Sequence, residues 1–193
     1  GGICQVSTTL YQALLYAELD IVERHQHSML VSYAEPSMDA AIADDVMDLV
    51  FKNNQEYPVY IEAIVGGGSL TFNIYGKETR DPNRTVTYVS ETLSSEQATG
   101  TNYVASDDPI GYINYVSAAH PKISAQLWKV VTENGTEASR EVVNHSEYVS
   151  SPETYSVGTA SDDANATAKM QQAIGTQDLA TINAAIQEII YGY

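Results

Sequence analysis

The sequence predicts an α+β fold: a small N-terminal α+β domain with a helix-borne cysteine and antiparallel strands, an elongated all-β module, and a C-terminal helical hairpin. Three observations carry this. Apolar residues repeat at helical spacing only near the two ends of the 193-residue chain. Between them, apolar and polar residues alternate in runs joined by glycine-bearing turns, the pattern of half-buried strands. A polar stretch over residues 94–109 then separates two groups of strands and is read as a boundary or linker. The expected divisions are 1–93, 94–160 and 161–193.

The first thirty residues hold the single cysteine, Cys4, and two of the four histidines, His25 and His27. Leu10, Ala13, Leu14 and Ala17 form one apolar stripe of a helix. Ser7, Thr8 or Thr9 can cap its start, because a short hydroxyl accepts from an orphan N–H. Cys4 therefore sits just before the first helical turn or within it, where free backbone donors and the helix dipole favour negative charge. Ile21 and Val22 suggest a strand leading back toward that helix start. A cysteine ahead of a helix with a histidine on the next strand is a nucleophile–base pattern. The bland alternative is a small buried hydrophobe, the commonest fate of a lone cysteine.

Beyond the histidines the chain mixes short strands with turns, and Pro36 opposes a helix across residues 33–38. Asp39, Asp44, Asp45 and Asp48 lack the alternating oxygens, central glycine and terminal glutamate of a calcium loop. Most are surface carboxylates. Asp39 is set apart, since a carboxylate there can orient a catalytic histidine. Alternation in 59–64 and 70–75 around Gly66-Gly67-Gly68 predicts a β-hairpin, and no helix or lysine follows that would make those glycines a nucleotide loop. A strand is expected over 84–93. Asn134-Gly135 marks a second hairpin, and Tyr112, Tyr115, Leu127 and Trp128 supply the larger apolar surfaces of the β module. His120 and His145 lack a neighbouring ligand set and read as turn or surface residues. From Asp162 two helices meet near Gly175, and the stripe Leu179, Ile182, Ile186, Ile189 and Ile190 must cover the first domain, the sheet or a partner chain, self-association included.

The totals exclude several functions. Twenty-five acidic against nine basic residues give a formal charge of −16, which repels nucleic acid and anionic membranes. No nucleotide, metal or organic cofactor site is expected. One cysteine rules out an internal disulfide framework. Fourteen tyrosines beside few lysines suggest an exported surface protein. Gly1 reads as the cut edge of a longer polypeptide whose targeting or membrane-anchoring segment lies upstream.

The motifs GGICQVSTTLYQALL, IVERHQHSM, PSMDAAI, DLVFKNN, YPVYIEA and IYGKETRD, in that order over about residues 1–80, closely resemble the VanW-like family of bacterial envelope proteins. Residues 94–160, through GYINYVSA, WKVVTENGTEASREVV and TYSVGT, resemble a G5 module, which implies two short triple-stranded sheets. The first resemblance implies a protein of the bacterial cell envelope, or outside the cell, acting on peptidoglycan. Some such proteins look like cysteine-dependent L,D-transpeptidases. Carried onto this chain, Cys4 is the nucleophile and His25 or His27 the base. His27 is preferred because it lies furthest along the strand and precedes Ser28. Backbone N–H groups from Gly2 through Ile3 to Gln5 are the expected oxyanion donors. The alternative is a non-catalytic scaffold whose G5-like unit grips wall polymer through Tyr112, Tyr115 or Trp128.

Overall fold

The computed structural model describes residues 2–192. Helix α1 (Ile3–Tyr16) is followed by strands β1 (Asp20–Glu23), β2 (Val50–Lys52), β3 (Tyr60–Gly66), β4 (Ser69–Tyr75) and β5 (Arg84–Glu96). Strands β6 (Thr101–Pro109), β7 (Ile113–Ser117), β8 (Lys122–Glu133), β9 (Thr136–Tyr148) and β10 (Glu153–Ala160) precede helices α2 (Ala164–Gly175) and α3 (Leu179–Tyr191). The mixture is α+β. The chain folds as two compact units: residues up to Ser95 with Lys122–Val149, and Glu96–Pro121 with the chain from Ser150.

In the first unit α1 buries Tyr11, Leu14 and Leu15, so its core face is turned from the expected stripe, of which Leu10, Ala13 and Ala17 are only half-buried; Leu127 of β8 joins Tyr11, Leu15 and Ala40 in one apolar cluster. β1 pairs antiparallel with β2, and β3 with β4. Gly67 and Gly68 both have positive φ, 59° and 79°, so the predicted glycine turn is a two-residue loop that only residues tolerant of the left-handed region can make. The third sheet has the order β5-β8-β9. Its β8–β9 hairpin turns on Asn134 and Gly135, again both at positive φ.

In the second unit β10 lies between β6 and β7, parallel to the first and antiparallel to the second. Asp163 and Asp178 cap α2 and α3 through their side chains. Part of the helical stripe finds its cover on this sheet: Ile182 and Ile186, with Met170, Ala173, Ile174 and Ala185, pack with Tyr103 and Val157, while Leu179 and Ile190 stay exposed. Two triple-stranded sheets are what the G5-like resemblance implies, and one belongs to each unit. The polar stretch 94–109 is corrected: most of it is strand, because β6 gains a parallel partner in β10 and buries Tyr103. Only residues 97–100 connect β5 to β6.

The end of α1 is tied down by charge. Glu18 receives Arg84 in a two-pronged pair at 2.6 and 2.8 Å, Lys129 at 2.8 Å and Arg80 at 3.3 Å. Arg84 chiefly holds the Glu18 carboxyl at about 2, against the burial that opposes it. A depressed carboxylate adds stability that is complete above its unfolded value near 4.5 and disappears as pH falls toward about 2. Glu18→Gln is therefore expected to cost about 2 kcal/mol at pH 7, the scale of charged hydrogen bonds with partial exposure. Urea unfolding at pH 7 and pH 2.5 checks this: the gap between wild type and variant should narrow at the lower pH.

Candidate active site

Cys4 is the second residue of α1 and is partly buried. The expected hydroxyl cap is absent: the N-cap is Gly2, with φ 108° and no side-chain bond. Ser7 and Thr8 lie too far into the helix to cap it, and their hydroxyls instead donate to the carbonyl of Ala40 at 2.6 and 3.2 Å, while the Ala40 N–H donates to Thr8 Oγ1 at 3.0 Å. An uncapped start leaves the first-turn amides of Ile3, Cys4 and Gln5 without intrahelical acceptors. These are the donors expected to stabilise an oxyanion, and Gly2, lacking a side chain, leaves the approach open.

The segment 39–42 fixes both halves of the site. On one side Ala40 docks on α1 and the Cys4 thiol donates to the Ile42 carbonyl at 3.6 Å. On the other, Ala41 N–H donates to the His25 carbonyl at 2.8 Å in an isolated antiparallel bridge. Asp39 reaches His27 from the same segment. Its Oδ2 accepts from the His27 backbone N–H at 2.8 Å and lies 2.7 Å from Nδ1. Its Oδ1 accepts from Arg24 Nη2 at 2.8 Å and from the Tyr148 hydroxyl at 2.5 Å. Burial pushes the Asp39 carboxyl up, but these donors outweigh it and hold it below the ordinary aspartate value. The ionised carboxylate only accepts, so Nδ1 carries the proton and Nε2 presents a lone pair. That is the tautomer of a general base.

The structure separates the two histidines. β1 ends at Glu23, so His25 and His27 do not continue one regular strand. His25 turns to Glu23 at 2.9 Å on the exposed side. His27 turns to Asp39. Nε2 of His27 meets the Tyr33 hydroxyl at 3.1 Å, with the two rings edge to face. Thiol and imidazole are thus each held by another partner in this structure. Four supporting residues carry no signal in the linear sequence. Arg24 donates to both the Asp39 carbonyl and Ser146 Oγ, and Ser37 donates its N–H to the Tyr148 hydroxyl and its own hydroxyl to Ser146, both on β9. Contacts more than a hundred residues apart in sequence close this shell.

The aromatic residues of the alternative reading are divided. Tyr112 and Tyr115 are more than half exposed in the second unit, and Tyr115 meets Tyr155 edge to face. Trp128 lies in the first unit, where its Nε1 donates to Glu91 and Arg140 stacks over the ring. Among the described residues no group of three or more acidic, cysteine or histidine ligands could hold a metal.

Residues 1–75 match the family model described as VanW like protein. YoaR of Bacillus subtilis (strain 168), described as an uncharacterized protein, is 40% identical over 78 residues, which are 40% of this chain and 26% of that relative. The matched part therefore spans about a quarter of the relative's length. Among solved structures, the IgA1 protease G5 domain aligns at 19% identity over 40% of this chain and 94% of its own, with a TM-score of 0.24. HP0197-G5 aligns at 10% identity over 39% and 95%, with a TM-score of 0.19. Residues 1–75 are a VanW-like domain, and Cys4, His27 and Asp39 all fall inside it.

Proposed function

From the VanW-like domain and its site, we propose that the protein belongs to the bacterial cell envelope and acts on peptidoglycan as a cysteine acyltransferase of the L,D-transpeptidase type. One observation carries the reading: a buried, ionised Asp39 fixes the His27 tautomer, on a segment that also bonds the helix start bearing Cys4. In the first half-reaction the Cys4 sulfur attacks the carbonyl between the third and fourth stem residues. His27 Nε2 takes the thiol proton and returns it to the departing amine, releasing the terminal D-residue and leaving a thioester. In the second, the side-chain amine of another stem's diamino acid attacks the thioester, gives up its proton and frees the thiol. Water as acceptor gives carboxypeptidase activity instead. The amides of Ile3, Cys4 and Gln5 face the charge that develops on the carbonyl oxygen. The catalytic part then includes β8 and β9, which fold with residues up to Ser95, and the rest of the stretch 94–160 forms one unit with the two C-terminal helices.

The test is incubation with tetrapeptide-stem muropeptides, followed by mass spectrometry. Wild type is expected to release D-alanine, to form 3-3 dimers or tripeptide stems, and to carry a transient acyl adduct on Cys4. Cys4→Ala should do none of these. Equal product from both proteins would end the acyltransferase reading. In that case the scaffold reading is favoured by the exposed Tyr112 and Tyr115, and it predicts retained wall binding in Cys4→Ala.

A further inference from the structure

The reaction just described leaves Tyr33 without a role, although it makes the site's most consequential contact. It lies in the turn after the histidine segment, and its side chain comes back over the site. Asp39 fixes the proton on Nδ1, so the imidazole has one lone pair, at Nε2. The Tyr33 hydroxyl occupies it at 3.1 Å. A phenol is a good donor as long as it keeps its proton. Burial chiefly holds Tyr33 above the ordinary tyrosine value, so it remains a donor at neutral pH. Meanwhile the thiol is turned to the Ile42 carbonyl.

We propose that Tyr33 is a positioning residue that holds the base nitrogen of His27 in the resting site and must let go before the imidazole can accept the Cys4 proton. This rests on the Cys4–His27 reading above. The exchange balances simply. The Tyr33 O–H···Nε2 bond breaks with the proton staying on tyrosine. The Cys4 S–H proton then moves to Nε2, giving thiolate and imidazolium. The two hydroxyl and thiol protons compete for one lone pair, so the resting thiol is kept less reactive than an open pair would make it. Such restraint suits a thiol that must wait for an acyl donor.

Cys4 is the chain's single cysteine, so alkylation by iodoacetamide reports on it alone. Pseudo-first-order rates should be followed from pH 5 to pH 9 for wild type, Tyr33→Phe, Tyr33→Leu and His27→Gln, each checked for folding by thermal denaturation. Tyr33→Phe removes the hydroxyl and keeps the ring. It is expected to raise the rate at pH 7 about fivefold, the factor one ordinary neutral hydrogen bond is worth, and to move the midpoint of the profile to lower pH. Tyr33→Leu should do the same and serves if the phenylalanine variant misfolds. A purely structural role for Tyr33 would not move the pH profile. An unchanged or slower rate in the folded Tyr33 variants overturns the proposal. His27→Gln separates the two claims. If it alters the wild-type profile while the Tyr33 variants do not, only the holding role falls. If it leaves the profile untouched, His27 is not coupled to the thiol, and both claims fall together.

Discussion

Asp39→Ala is expected to lower stability by about 3–5 kcal/mol, the penalty for removing one partner of a buried ion pair. Asp39 is 1% exposed and Arg24 only 6%. Deleting the carboxylate leaves a guanidinium without its counter-charge, whose remaining bonds go to the Asp39 carbonyl and to Ser146. The buried Tyr148 hydroxyl and both His27 donors lose their acceptor as well. Asp39→Asn keeps the shape but presents N–H where a donor already points, so part of the loss should persist. The pH sign is the usual carboxylate one. The folded value lies below the ordinary 3.8, so the contribution is complete above that value and is lost as pH falls through the lowered one. Urea unfolding at pH 7 is the measurement. Asp45→Ala, on the exposed side of the same region, should stay within about 0.5 kcal/mol of wild type. An Asp39→Ala protein within 1 kcal/mol of wild type would falsify the view that this carboxylate holds the segment together.

Much of this arrangement was legible in the sequence, and the reason is local. The existence of α1, the Gly67-Gly68 and Asn134-Gly135 turns, and the interruption near Gly175 are each decided within a few residues by side-chain period or by tolerance of positive φ, whereas the face that α1 buries depends on Ala40 and Leu127 from elsewhere in the chain. Asp39 could be singled out among four aspartates, though by chemistry and not by pattern. What was not legible depends on distance in the chain. Tyr148 and Ser146 lie on a hairpin that reads as part of a later module, and nothing in their neighbourhood announces a partner at Asp39. The strand within 94–109 is hidden for the same reason. The Gly, Asn, Asp and Pro residues of that stretch are poor strand formers by themselves, but β10 supplies the hydrogen bonds and the helices cover Tyr103. Ser7 and Thr8 were read as caps because capping is the local use of a hydroxyl; their bonds to Ala40 require the fold. The choice between His25 and His27 likewise needed the end of β1 at Glu23, since on a continuous strand both would face the same way.

That choice yields the largest expected effect on activity. If the protein works by the proposed acyl transfer, His27→Gln should lower the rate with tetrapeptide stems by about 10²–10⁴-fold, the usual contribution of a positioned general base. His25→Gln should leave the rate near that of wild type. The asymmetry follows from what each ring can do with a proton. His27 has Nδ1 saturated by a buried carboxylate, which holds the orientation of the ring and stabilises the imidazolium formed when Nε2 accepts. His25 has its Nε2 on an exposed Glu23, and its ring makes no bond to Asp39. Glutamine at 27 can keep a polar group near Asp39 but cannot take up the thiol proton at neutral pH, so the variant separates proton transfer from local packing. Initial rates of D-alanine release, with thermal denaturation as a control for folding, make the comparison. A loss confined to His25→Gln would move the base to the exposed histidine and leave Asp39 as a structural anchor. A loss confined to His27→Gln ties the buried Asp39 network to chemistry at Cys4.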